Sequence, residues 1–242
     1  MSTLSVAHLG PIAYRDALAV QEGLVRARAD GRTGDWLLYP DHPPVLTVGR
    51  GGSDASLRVD PETLRRRGIE IFEVARGGDF TWHGPGQLVG YVVCDLTRRD
   101  RDLHRFLRDL EQTLIAALAS WRIAGETVPG RTGVWVKGEK IASIGVAVRR
   151  WVSYHGFALN VAPDLTFFDL IHPCGLRGIH MTSLAREAGP QAPSLDEARR
   201  TVAAHLARQM GYADCTWTGA GEPLELAAMD RMNTIEPAGA AR

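Results

Sequence analysis

Apolar residues change their spacing several times along the chain, and each change marks an element. Between Ala13 and Ala29, Ala17, Val20, Leu24 and Ala27 recur every three or four positions, with Gly31 just beyond. That is the period of a helix with one buried stripe. Two short apolar runs follow, Trp36–Tyr39 and Val45–Val48, set apart by Pro40, Pro43 and Pro44, and they predict strands. Asp60-Pro61-Glu62 joins a capping side chain, a proline at the first helical position and an acid in the first turn. A short helix is expected from there to Arg67, stopped by Gly68. Ile69–Val74 and Leu88–Leu96 read as strands on either side of a loop, Arg76–Gln87. Leu103, Phe106, Leu107, Leu110, Leu114 and Leu118 trace one face of a long helix. Gly133–Val136, Lys140–Arg149 and Val152–Val161 read as successive strands, turning at Lys137-Gly138 and Arg149-Arg150. Ser194-Leu195-Asp196-Glu197 is a capping box that opens a helix to about Met210. From Thr218 onward the Ala and Gly content predicts a loosely held tail. The order of elements predicts an α/β fold of the α+β type: one domain over residues 1–217, a mixed sheet flanked by helices, then a tail over 218–242.

Composition narrows the function classes. Basic and acidic residues balance at 28 each, which argues against a nucleic-acid partner. No apolar run approaches the ~18 residues of a membrane span, and the first thirty residues hold no apolar signal segment, so a cytoplasmic protein with no membrane partner is expected. Cys94, Cys174 and Cys215 are the only cysteines, widely spaced and odd in number. That pattern suits neither a disulfide framework nor a zinc site, so a cysteine can act here only as a single thiol.

The stretch Arg76-Gly77-Gly78-Asp79-Phe80-Thr81-Trp82-His83-Gly84-Pro85-Gly86-Gln87 has the most unusual composition in the chain. Glycines let a ligand approach the backbone, and their N–H groups can form a nest for an anion or carbonyl. No Gly-Lys-Ser/Thr follows, so this is not a phosphate-binding Walker loop, and no helix follows, so it is not a dinucleotide fingerprint. The bland alternative is a tight turn between strands.

Cys174 lies in His172-Pro173-Cys174-Gly175, where proline and glycine fix a turn, whereas Cys94 sits in an apolar strand and Cys215 near the tail, as inert thiols do. A free thiol is only about 3% thiolate at pH 7, and a neighbouring cation raises that fraction. Lys137 and Lys140 are the only lysines among 28 basic residues. Lysine titrates far more readily than arginine. Lys137 falls in a turn open to solvent, while Lys140 opens a strand whose small residues can border a cavity, so Lys140 is the candidate partner. A zinc deaminase would need Pro-Cys-x-x-Cys, but Arg177 stands three after Cys174. No local protease signature surrounds Cys174, although His83, His155, His172 and His180 are available as partners.

Seven segments occur in order: Arg76-Gly77-Gly78; Thr81 to Leu88; Gly133-Val134-Trp135-Val136; Lys140 to Gly145; His155 to Val161; Pro173-Cys174-Gly175; and Thr182-Ser183-Leu184. Together they resemble the lipoyl(octanoyl) transferases, over about Gly10 to Met210. The resemblance implies the fold of the biotin and lipoate protein ligase catalytic domains. It implies that Cys174 carries an acyl thioester and that Lys140 lowers the thiol's pKa and relays protons. It sets the acyl chain against Arg76, Gly77, Gly78, Asp79, Phe80, Thr81, Trp82 and His83, against Ser143, Ile144 and Gly145, and against Gly156, Phe157 and Ala158. The implied donor is octanoyl-acyl carrier protein. The implied acceptors are lipoyl domains of 2-oxoacid dehydrogenase complexes and the glycine cleavage H protein, with no metal and no cofactor. Trp82 stands where a tyrosine is common in the family.

An octanoyl tail has about seven apolar carbons beyond its carbonyl, and burying them contributes roughly 5–6 kcal/mol. One methylene then changes binding only about fourfold, so selection by length needs a closed end. Three rivals share the pattern in part: a lipoate or biotin ligase that activates a free acid with ATP, a transferase moving octanoyl between two lipoyl domains, and a non-catalytic acyl-binding protein.

Overall fold

The computed structural model describes residues 2–172 and 178–233; for residue 54 and residues 229–233 it describes the backbone alone. Eight strands form one mixed sheet in the order β11-β1-β2-β6-β10-β9-β8-β7. They are β1 (Leu4–Pro11), β2 (Asp35–Asp41), β6 (Gln87–Val93), β7 (Glu126–Val128), β8 (Arg131–Val136), β9 (Glu139–Arg149), β10 (Val152–Asn160) and β11 (Cys215–Thr218). Strand β1 runs parallel to both β11 and β2, while β2, β6, β10, β9 and β8 pair antiparallel in turn. A second sheet of three strands sets β3 (Val45–Val48) between β4 (Glu70–Glu73) and β5 (Phe80–His83).

Helices cover both faces of the large sheet, which explains why its central strand β6 is buried along its whole length. Helix α3 (Leu103–Ser120) and α5 (Leu195–Gln209) cover one face, where Phe106, Leu110, Leu114 and Leu206 meet Leu88, Val92, Phe157 and Leu159. Helix α1 (Tyr14–Ala29) covers the other, where Ala17, Val20 and Leu24 meet Leu38, Val89, Tyr91 and Ala158. Each fully buried Leu or Phe contributes about 1.5–3 kcal/mol, so these two layers hold most of the fold's apolar stabilisation. The short helix α2 (Pro61–Arg66) is capped by Asp60, and Ser194 and Glu197 form the expected capping box on α5.

The structure differs from the sequence expectation in three places. The stretch Arg76–Gln87 is not loop throughout, because Phe80–His83 is strand β5, paired with β3 from Val45↔His83 to Val48↔Phe80. Strands β1, β7 and β11 lie where no strand was expected. The segment expected to be loose from residue 218 contains α6 (Gly221–Asn233), which packs on α1. That packing is close: a Cβ at Gly23 would lie 2.6 Å from the Cα of Ala227, itself fully buried. Among the described residues, no helix is long and apolar enough to cross a membrane.

Candidate active site

Strand β9 runs from Lys140 at one end of the site to Val146 at the other. Lys140 is 2% exposed, and its ammonium lies 5.5 Å above the ring of Trp135 on β8. Space for it comes from Gly133, whose φ of +128° suits glycine and where a Cβ would stand 2.6 Å from Lys140 Cε and 3.2 Å from Nζ. The Gly133 N–H donates to Glu111 at 3.0 Å, fixing this strand end to α3. The Lys140 backbone bonds outward on both sides: its N–H to the His180 carbonyl at 2.9 Å, and its carbonyl to the Thr182 N–H at 3.0 Å. Lys137, by contrast, is an exposed turn residue with φ +51°, paired to Glu187 at 2.9 Å.

Cys174 lies outside the described residues, as do its neighbours Pro173 and Gly175. Both flanks of that segment are anchored. Upstream, Ile171 bridges Leu57 and the His172 N–H donates to the Ser56 carbonyl at 2.7 Å. Downstream, Met181 bridges Lys140 itself. The other two thiols differ in kind. Cys94 is buried beside Ser153, and burial pushes its thiol up to about 12; Cys215 is half-buried and raised by burial and then by Asp214.

Beyond Lys140 along β9, a narrow cavity of about 50 Å³ opens between the glycine loop and the sheet. Its lining includes Arg76, Gly77, Gly78, Asp79, Phe80, Thr81 and His83, then Ser143, Ile144 and Gly145, then Gly156, Phe157 and Ala158. Three segments far apart in sequence thus meet around one space. Trp82 does not line it: its indole stacks on Phe167 at 4.9 Å and meets Phe168 edge-on, in the core beneath the small sheet. Strand alternation and the crowding of its six-membered ring against Gly84 hold it there, where a Cβ at residue 84 would come within 2.2 Å.

The glycine loop is held by its neighbours. Gly77 donates its N–H to the Val146 carbonyl at 3.1 Å, so this group is engaged by the sheet and does not join an open nest. Arg50 and Gly51 donate to the carbonyls of Arg76 and Gly78, both at 3.0 Å. The buried Arg76 guanidinium donates to Thr47 (carbonyl 2.8 Å, hydroxyl 2.7 Å) and to the Gly77 carbonyl at 3.0 Å. Asp79 accepts from Ser56 at 2.5 Å and from the Phe80 N–H at 2.7 Å.

Four lining residues were not anticipated: Tyr14 from α1, Val89 and Tyr91 from β6, and His155 from β10. They form a buried floor with His42 and His83. Burial holds the imidazoles neutral: His42 falls to about 4, His83 to about 3 with the nearby His42 adding to the effect, and His155 to about 3 with Arg76 adding to it. Among the described residues, no group of three or more His, Cys, Asp or Glu side chains gathers as a metal site would require.

The geometry can now be set beside known proteins. The family model described as "Lipoyl protein ligase A/B catalytic domain" matches residues 13–207. The chain is 50% identical over 204 residues to an octanoyltransferase of Geobacter sulfurreducens, covering 84% of this chain and 83% of that protein. An octanoyltransferase of Rubrobacter xylanophilus is 50% identical over 191 residues, covering 78% and 86%. The fold is similar to that of lipoate-protein ligase A bound with ATP (TM-score 0.78, 19% identity, 97% of this chain and 95% of that one). A more distant likeness is biotin protein ligase from Aquifex aeolicus in complex with biotin and ATP (TM-score 0.52, 12% identity, 87% and 71%). The biotin and lipoate ligase architecture expected from the sequence is therefore present, and the chain belongs to the lipoyl protein ligase A/B catalytic domain family.

Proposed function

We propose that this protein transfers an octanoyl group from acyl carrier protein to a lysine of a lipoyl domain, through a thioester on Cys174, with Lys140 moving the protons. Lipoyl domains of 2-oxoacid dehydrogenase complexes and the glycine cleavage H protein are the acceptors, and the reaction runs in the cytoplasm. The observation that carries this reading is the position of Lys140. Its side chain is buried at the head of the strand that lines the cavity, and its backbone N–H and carbonyl bond to His180 and Thr182, just downstream of the Cys174 segment. The names of the half-identical relatives supply the acyl group.

In the first half-reaction the Cys174 thiolate attacks the carrier thioester. A carbon–sulfur bond forms to Cys174, the bond to the pantetheine sulfur breaks, and Lys140 protonates the departing thiolate. One thioester replaces another, so the step is near balance and needs no ATP. In the second, the acceptor lysine attacks the Cys174 thioester, an amide forms and the thiolate returns. An ordinary lysine is neutral only about once in 2,500 molecules at pH 7, so the attacking amine must lose a proton, and Lys140, neutral after the first step, takes it.

The test is transfer from octanoyl-carrier protein to a lipoyl domain without ATP. Formation of octanoyl-lysine is expected, unchanged by added ATP. Transfer only from free octanoate plus ATP, with an acyl-adenylate intermediate, would make the protein a ligase and overturn the reading.

A further inference from the structure

The cavity has a direction. Its rim residues Gly77 and Gly78 are exposed and Ser143, Ile144 and Gly145 are half-buried, whereas Tyr14, Val89, Tyr91 and His155 are at most 3% exposed. His155 pairs with Val146, six residues along β9 from Lys140, which at the rise of a strand is about 20 Å. The buried floor runs from Val89, level with Ser143, to His155, and the inner end at His155 is the end of that floor farthest from Lys140.

An end that receives only a methyl group would be apolar. This one is polar. His155 is 2% exposed, and its Nε2 has no hydrogen-bond partner among the described residues. Its backbone lies at φ +58°, a left-handed conformation uncommon for a residue with a side chain. Gln21, fully buried on α1, accepts the His155 N–H at 2.8 Å and so holds that conformation. Without it, alternation along β10 would send His155 to the face of Phe157 and Leu159; the left-handed residue instead joins Tyr91, ring centroids 6.2 Å apart. An unpartnered buried nitrogen, kept by an unfavourable backbone, points to a ligand group that completes it.

The neighbouring polar atoms have a fixed sense. The Thr182 carbonyl can only accept, so the Asn160 amide donates to it at 3.0 Å; the Asn160 oxygen then accepts from Gln87 Nε2 at 3.0 Å, and the Gln87 oxygen accepts from His83 Nδ1 at 2.8 Å. His83 therefore carries its proton on Nδ1 and offers Nε2 as an acceptor. In the same way the Ile12 carbonyl accepts from His42 Nδ1 at 3.0 Å, so Tyr91 donates its hydroxyl proton to His42 Nε2 at 2.7 Å and its oxygen accepts from the Tyr14 hydroxyl. A hydroxyl both donates and accepts, and so suits one acceptor of known sense, His83 Nε2, beside an imidazole nitrogen with no partner among the described residues.

We infer that the inner end of the cavity recognises a hydroxyl near the far end of the acyl chain, so that hydroxyacyl groups are held there alongside plain octanoyl. The inference rests on the cavity being the acyl site. Isothermal titration of the full chain with octanoate and with ω-hydroxyoctanoate tests it. The hydroxy acid is expected to bind at least as tightly as octanoate. In His155→Phe the preference for the hydroxy acid over octanoate, measured as the ratio of the two affinities, should fall about tenfold or more. Asparagine tolerates left-handed backbone, so His155→Asn, too short to reach the same point, replaces His155→Phe if the latter does not fold. Octanoate favoured by about tenfold or more in the unsubstituted protein would overturn the inference and leave the acyl site intact, as expected if water already occupies that end. Binding of neither acid would overturn both. Binding of both without ATP-free transfer would overturn the transferase chemistry alone.

Discussion

The two ends of the site along strand β9, at Lys140 and at Val146, are both buried and chemically opposite. At one end the amine of Lys140 lies between Trp135 and a glycine that leaves it room, and the Lys140 backbone bonds to the chain downstream of Cys174. At the other, beside Val146, buried rings are locked by directed hydrogen bonds, and their histidines stay neutral because burial disfavours the charged form. Burial alone does not make a group reactive. In the proposed reaction Lys140 moves protons, whereas His42 and His83 are each bound at Nδ1 to a carbonyl or amide that fixes their tautomer. The proposed function assigns the chemistry to one end and the holding of the chain to the other.

The largest effect should come from separating these roles. Lys140→Arg keeps a cation but cannot relay protons, so transfer should fall by roughly 10²–10⁴-fold while octanoate affinity stays within about threefold. Single-turnover kinetics with calorimetry would check this; equal losses in both would mean that the two ends are not functionally distinct. Next in size is Gly133→Ala. Its methyl would stand 2.6 Å from Lys140 Cε and 2.5 Å from the Ala142 carbonyl, at a φ of +128°. A loss of about 1–3 kcal/mol in urea unfolding is expected, together with a fall in transfer exceeding what unfolding explains.

Gly145→Ala acts between the two ends. The added methyl would lie 3.0 Å from Arg76 Cδ and 3.0 Å from the Gly77 carbonyl, crowding the cavity wall. KM for the octanoyl donor should rise about tenfold with kcat changed much less, the split expected of a holding residue. The smallest effect at neutral pH is on stability. His42, His83 and His155 have depressed pKa values in the folded state, so their contribution is complete above about 6.5, the unfolded value, and is lost as pH falls toward 4 and then 3. Each adds up to ~1.4 kcal/mol per pH unit over that window. Urea midpoints at pH 7 and pH 5 would show the drop, and His83→Gln should shallow it by about one proton.

What could be read from sequence follows the same division. The cavity wall is built of backbone and small residues in continuous runs, Arg76-Gly77-Gly78 and Ser143-Ile144-Gly145, and such runs are visible locally. The floor is assembled from single residues on α1, β6 and β10, and nothing local marks Tyr14 or Tyr91 as neighbours of His83. One signal was present: Gln21 sits on the apolar stripe of α1 yet is fully buried, and its partner is the His155 backbone. Trp82 shows the opposite case. It lies in the right segment, but β5 is a strand only through its pairing with β3, and its pleat sends the indole away from the cavity. A similar signal marked α6. Gly23 lies within α1, where glycine costs about 1 kcal/mol relative to alanine, and the reason is the close approach of Ala227.

The central claim concerns a covalent bond, and intact-mass analysis after mixing the protein with octanoyl-carrier protein in the absence of acceptor tests it most directly. One octanoyl adduct is predicted, released by hydroxylamine and absent from Cys174→Ala. An adduct that persists in Cys174→Ala, or full transfer to a lipoyl domain by that variant, would contradict the account.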